Sequence, residues 1–217
     1  MRIVLPTLYD TRGGSTRVLL ATAAALRAEH AVRVRAPLPE ADDPAASGFP
    51  AWPLAGRWAK LAVLPRVAAL VAREAAYLRR VRPDAVWVHD EPALYVYGLA
   101  ARALRPRPQI VWHLHMAAGT GLARRLRRAL ADRVVSVSRH AAAGVPGAAL
   151  LRNPVEAPAE APASAGPLAV TVVAALTPRK NAALALDVLA ALPPHTRLTV
   201  VGPPLDKLFS LLVGHPQ

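Results

Sequence analysis

The chain has 217 residues, 53% of them apolar, a formal net charge of +13 and no cysteine. The apolar fraction supports one large or two small folded units, and the absence of thiols excludes disulfides, cysteine nucleophiles and cysteine-ligated zinc. The charge favours anionic partners such as phosphorylated small molecules, acidic lipid head groups or nucleic acid, but it is nearly all arginine, with lysine only at Lys60, Lys180 and Lys207, and arginine with abundant alanine is also a product of GC-rich coding.

From the amino terminus, RIVLPTLY reads as a strand that ends in the loop Asp10-Thr11-Arg12-Gly13-Gly14. The opening residues hold no long apolar run, so no signal peptide is expected. No stretch approaches about 18 apolar residues free of charge or proline, so no spanning helix is expected either, and the chain reads as cytoplasmic. Ser15 is placed to cap the helix TRVLLATAAALRAEH, and AVRVRAP alternates as a second strand. PLPEADDPAASGFPAWPLAGRW reads as a long loop of the kind that carries recognition elements. A helix is expected over 59–80, with Pro65 as a point where it can divide. The third strand PDAVWVHD, the helix EPALYVYGLAARALR and the fourth strand QIVWHLH follow. Next come the basic helix LARRLRRALA, the fifth strand DRVVSVS, a short helix SRHAAAGV and a short sixth strand ALLRNPV. EAPAEAPASAGP reads as a linker. Beyond it, VTVVAAL, the turn TPRKN, the helix AALALDVLAAL and RLTVVG form one strand–helix–strand unit. Alternation of this kind predicts a parallel sheet with helices on both faces.

Three places carry candidate chemistry. Gly13-Gly14, between a strand and a helix, lets backbone approach a ligand and turns N–H groups toward a phosphate or hydroxyl, though a sharp turn without a ligand fits the same pair. It lacks the third glycine of a dinucleotide fingerprint. His113-Leu114-His115 ends the fourth strand, where a spacing of two puts both imidazoles on one face, at the edge that lines the ligand crevice of open α/β sheets. His89, Asp90 and Glu91 end the neighbouring strand. These histidines can serve as general bases or hydrogen-bond donors, or as structural hydrogen-bonded residues. A metal-dependent enzyme using His89, His113 and His115 is an alternative, but no acidic partner stands at a supporting spacing, and no metal is expected. Lys180 opens the helix of the last unit, the position that usually receives an anionic ligand.

Taken together and in order, Gly13-Gly14, PDAVWVHD, IVWHLH, DRVVSVSRHAAAG, LLRNPVE and AALTPRKNAALALDVLAAL followed by LTVVG resemble the retaining glycosyltransferases of the two-Rossmann-domain GT-B fold, in the large group 4 family. The resemblance spans nearly the whole chain, through short motifs. It implies an α/β protein with a Rossmann-like, acceptor-side domain at 1–154, an Ala/Pro linker at 155–167, and the start of a donor-binding domain at 168–217. The implied reaction moves a hexose from a nucleotide-sugar co-substrate, with no further cofactor, to a glycan or lipid-linked acceptor with retention. His115, with His113 second, is implied near the transferred sugar as the catalytic histidine. Gly13 and Gly14 are implied at the acceptor and donor phosphates, Lys180 on the donor diphosphate, and Ser138 and Asn153 as shaping the cleft.

Two departures from the family pattern stand out. Ala174 and Ala175 occupy the usual Gly-Arg, leaving Arg179 as the substitute phosphate ligand. The family's pair of glutamates seven residues apart would fall beyond residue 217, so an incomplete form is expected. The alternative is a non-catalytic acceptor-domain remnant that binds a membrane or a partner. GLARRLRRALADR sets Arg124, Arg125, Arg127 and Arg128 beside Leu122, Leu126 and Leu130, which fits peripheral association with the inner face of an anionic membrane or, equally, a solvated face over a core stripe. Nucleic acid is not an expected partner, since no binding motif accompanies the charge and aromatic content is 5%.

Overall fold

The computed structural model describes residues 1–10, 13–45, 57–154, 168–174, 180–181 and 183–202. The chain divides into two units, Met1–Glu156 and Ala157–Gln217. The first contains β1 (Arg2–Pro6), α1 (Gly14–Leu26), β2 (Ala31–Ala36), β3 (Asp43–Pro44), α2 (Arg57–Val81), β4 (Ala85–Val88), α3 (Glu91–Arg102), β5 (Gln109–Leu114), α4 (Gly121–Leu130), β6 (Arg133–Ser136) and β7 (Ala149–Leu150). The second contains β8 (Ala169–Val173), α5 (Ala183–Ala190) and β9 (Arg197–Val201).

All seven strands of the first unit form one parallel sheet in the order β3-β2-β1-β4-β5-β6-β7. Strand residues alternate between faces, and both faces are covered. Ile3 and Leu5 of β1, with Val34 and Ala36 of β2, pack against Leu19 and Ala23 of α1. Val4 of β1 joins Val86, Val88, Ile110, Trp112 and Leu114 in the larger core, filled from α2 and α3 by Leu78, Leu94, Val96, Tyr97 and Ala100. Burial on both faces explains why these strands are short continuous apolar runs. The order reverses around β1, which makes the β1–β4 boundary a topological switch point, the place where such sheets hold ligands at their carboxyl edge.

A buried ion pair fastens the β2 edge. Arg35 and Glu74 meet through Nε–Oε2 at 2.6 Å and Nη2–Oε1 at 3.0 Å, and Glu74 is 0% exposed. Tyr97 donates to Glu74 at 2.7 Å, and the Arg35 guanidinium lies over the Tyr77 ring. Burial alone would push the Glu74 carboxyl up, but hydrogen bonds from Arg35 and Tyr97 outweigh it and hold the carboxyl below its ordinary range.

Four local expectations change. The long loop holds β3, a two-residue edge strand pairing Arg35–Ala36 with Asp43–Pro44; the rest of that loop, Trp52 included, lies outside the described residues. Helix α1 begins one residue before Ser15, because Gly13 is extended and its carbonyl already accepts the Arg17 N–H at 3.1 Å. Pro65 sits inside α2, which runs on without division. SRHAAAGV forms consecutive turns, since Gly144 takes a φ of +76° and Pro146 follows, which leaves too little chain for a helix.

In the second unit β8 and β9 pair in parallel from Ala169↔Arg197 to Val173↔Val201, with α5 between them in sequence. Val173, Val201, Leu184 and Leu186 there are exposed.

Candidate functional site

The register of the central strands assembles three histidines. Val88 of β4 pairs with Trp112 of β5, so His89 comes level with His113. Val86, Val88, Ile110, Trp112 and Leu114 all enter the larger core, which turns Trp87, His89, His113 and His115 toward the opposite face. The ring centroids lie 4.6 Å apart for His89 and His113, 4.5 Å for His113 and His115, and 5.4 Å for His89 and His115. Nδ1 of His89 and Nε2 of His115 are 3.2 Å apart, one ring donating and the other accepting. His89 and His113 are buried and His115 is half-buried. The trio therefore has one member facing outward, His115, at the carboxyl edge of β5.

Their protonation is set by that burial. Desolvation, reinforced by the neighbouring rings, drives His89 well below the ordinary imidazole value. Burial beside His115 lowers His113 to about 4, with the Leu151 backbone acting the other way, and burial lowers His115 as well. Near neutral pH all three rings are neutral, able to accept through one nitrogen and donate through the other.

Asp90 anchors this edge to β1 and α3. It is the N-cap of α3 and accepts from the Ala93 N–H at 2.7 Å. Burial raises its carboxyl to about 6, opposed by bonding from Ala93, Thr7 and Leu8. Gly13 and Gly14 follow β1 on the same carboxyl edge, both exposed at the start of α1, with open space where a side chain would stand. Neither has a positive φ, so neither local strain nor packing requires glycine here. Among the described residues, the N-cap Gly13 offers no side-chain cap to the start of α1.

Ser138 follows β6. Its Oγ accepts from the Ala141 N–H at 3.0 Å, and its carbonyl accepts from Ser136 Oγ at 3.0 Å, so it organises the turns rather than facing a reactant. Asn153 lies exposed after β7. Lys180 belongs to the second unit, exposed three residues before the described start of α5, beside Asn181 at a φ of +46°. Arg179 lies outside the described residues.

One part of the site was not singled out from the sequence. Arg127, read there as one of four basic-face arginines, turns inward. It donates to Tyr95 Oη at 3.0 Å and to the Ala118 carbonyl at 2.7 Å, and pairs with Glu91 at 2.6 Å. These contacts fix the segment that leaves His115 against the start of α3. Gly119, at a φ of +75°, takes a backbone conformation that favours glycine, and a Cβ there would stand 2.8 Å from Arg127 Nη1 and displace the guanidinium. The glycine and the spacing of Arg127 from Glu91 were the available signals, but neither identifies the inward arginine without the packing of α4 on α3. Leu122 and Leu126 are 80% and 51% exposed, and only Leu130 is buried; the apolar stripe of α4 is thus largely outside the core.

No curated protein matches the chain. Among solved structures it is similar to the apo form of the lipopolysaccharide outer core galactosyltransferase WaaB, at 17% identity and a TM-score of 0.67, over 99% of this chain and 65% of that one. It is also similar to Acinetobacter baumannii MurG, at 15% identity and a TM-score of 0.51, over 95% of this chain and 68% of that one. The chain thus spans about two thirds of the length of either, and likeness at these identities establishes the GT-B fold. The model of glycosyltransferase family 4 matches residues 12–146, more than half of the sequence and all of the sheet's central connections. On that match the chain belongs to glycosyltransferase family 4.

Proposed function

We propose that this chain serves transfer of a hexose from a nucleotide-sugar donor to a glycan or lipid-linked acceptor, with retention at the anomeric carbon. The observation that carries the reading is the placement of a half-exposed, neutral His115 at the carboxyl edge beside the switch point, backed by two buried imidazoles. A neutral ring there hydrogen-bonds a sugar hydroxyl without adding charge, and His113 supports it from behind. Gly13 and Gly14 leave room for a phosphate or acceptor hydroxyl at the start of α1. Lys180, with Arg179, neutralises the diphosphate as the glycosidic bond breaks. With no covalent nucleophile assigned, the departing phosphate assists attack on the same face. Ser138 and Asn153, after β6 and β7, shape the carboxyl edge of the first unit's sheet.

A second reading, a non-catalytic module that binds a membrane or partner, draws on α4. Exposed Leu122 and Leu126 stand beside Arg124, Arg125 and Arg128, which suits the anionic cytoplasmic face of a membrane. Among the described residues no helix is long and apolar enough to cross a membrane.

Donor binding is the property to test. Thermal unfolding of the 217-residue chain is followed with a panel of nucleoside diphosphates and nucleotide sugars. A rise in Tm specific to one nucleotide, and lost in Lys180→Ala, is expected. At a ligand concentration of 100 Kd the stabilisation is about 2.7 kcal/mol. A cooperatively folded chain that responds to no nucleotide overturns the donor reading in favour of the second.

A further inference from the structure

The outward flank of α4 faces the turns after β6 across a cleft of about 330 Å3, lined by Arg124, Arg125 and Arg128 of the helix and by Val145 and Pro146 of the turns. Spacings of three and four residues set the guanidinium groups along one side of the helix, where like charges repel. Arg124 is half-buried, its Nη1 so close to the backbone of Gly144 that a Cβ there would collide with it. Among the described residues, the side chains of Arg124 and Arg125 have no hydrogen-bonded or ionic partner, and Arg128 reaches only the Ala131 carbonyl at 3.3 Å. Carboxylates to balance them are scarce in this stretch: from Pro92 to Val155 the only one is Asp132, and it pairs with Arg107. Three cations held together beside an apolar wall are stabilised by an anion brought from outside.

We propose that Arg124, Arg125 and Arg128 form a binding site for one phosphate group, carried as a phosphomonoester. The planar fork of a guanidinium matches phosphate oxygens two at a time. A monoester near pH 7 brings about −1.5 to −2 of charge against the three positive groups. The cleft lies at the lower end of the range for small-molecule sites, about 300–1,000 Å3, so it admits the phosphate and a small part of the molecule that bears it. Val145 and Pro146 offer that part an apolar surface. The site is separate from the His115 edge, because Arg127 of the same helix turns the other way, to Tyr95, Ala118 and Glu91. It goes beyond the transfer reading and needs neither donor nor acceptor. A soluble molecule and a lipid head group present the same phosphate, and the test separates them.

The 217-residue chain is titrated calorimetrically with inorganic phosphate and with glycerol 3-phosphate. Its cosedimentation is compared on phosphatidylcholine vesicles carrying phosphatidate or phosphatidylglycerol at matched surface charge. Saturation at one equivalent is expected, with Arg124→Gln and Arg128→Gln each weakening binding about tenfold or more. Arg124→Lys keeps the charge but loses the fork, and is expected to weaken binding too. Arg66→Gln and Arg79→Gln, exposed on α2, leave it unchanged. Circular dichroism checks that each variant is folded. Saturable binding of the soluble phosphates assigns a free ligand. Tighter binding to phosphatidate than to phosphatidylglycerol vesicles, lost in Arg124→Gln and without soluble binding, assigns a lipid one. The double variant Leu122→Gln, Leu126→Gln leaves soluble phosphate binding intact, so this site and membrane association through the leucines fail separately. No saturable binding of either kind overturns the proposal. An equal loss in Arg66→Gln does so too, by marking a diffuse effect of net charge.

Discussion

His113, 1% exposed between two other rings, resists protonation because its imidazolium would lose water and face further imidazoles. Its pKa falls to about 4 in the folded chain, against about 6.5 when unfolded. Between those values the unfolded chain binds a proton that the folded chain refuses, so stability falls as pH drops through that window. His89 acts in the same direction. Asp90, raised to about 6, acts in the opposite one, since its folded form holds a proton that the unfolded chain releases above about 4. Two histidines outweigh one carboxyl, and net destabilisation on acidification from neutral pH toward pH 4 is expected. His113→Phe removes a share on the order of 3 kcal/mol of that pH dependence. Urea unfolding across this range with EDTA present measures it, and an unchanged slope in the variant would contradict the assignment. The charged residues also show what sequence leaves open at this scale. Arg33 and Arg35 share one face of β2 by alternation, yet only Arg35 is covered, where α2 supplies Glu74. Likewise only the docking of α4 decides that Arg127, alone of the four arginines on that helix, pairs with Glu91. Such choices belong to tertiary contact, and no local pattern announces them.

Elements were far more legible. Short apolar runs marked β1, β4, β5 and β6, and their period of two, with the i, i+2 spacing of His113 and His115, located the face they share. The misses fall where local signals are weak: a two-residue strand such as β3 has no period to read, and the segment before β7 is too short for helical propensity to decide. Packing between helices supplies a test of the fold itself. At Gly98 of α3, a Cβ would stand 3.0 Å from Leu130 Cβ and 3.3 Å from its carbonyl oxygen, at the end of α4. Alanine in a helix gains about 1 kcal/mol over glycine in propensity. Overpacking against a backbone carbonyl costs about 1–3 kcal/mol, so Gly98→Ala is expected to be destabilised by about 1 kcal/mol and Gly98→Val by more than 2 kcal/mol. Denaturant midpoints report both, and a stabilised Gly98→Ala would show that α3 and α4 stand further apart.

At the scale of the whole molecule the charge of +13 matters through where it meets apolar surface. The outer face of α4 combines exposed leucines with three arginines, and each arginine near an anionic bilayer contributes about 1 kcal/mol at low salt. Cosedimentation with vesicles containing phosphatidylglycerol, and none with phosphatidylcholine alone, is the expected result. Raising the salt to about 0.5 M weakens this binding by screening, and the double variant Leu122→Gln, Leu126→Gln weakens it at every salt concentration. Equal partition onto neutral vesicles would contradict the arrangement.

The two sheets also differ in how they end. The larger one finishes on both sides in strands of two residues, β3 and β7, and β3 closes with Pro44, which has no N–H to offer. An incoming strand finds almost nothing to extend there. The β8–β9 pair carries five residues a side, free of proline, with Val173, Val200 and Val201 in water. Among the described residues the small sheet is therefore the one with strand length to extend, and association between copies is expected to start there rather than at the large sheet.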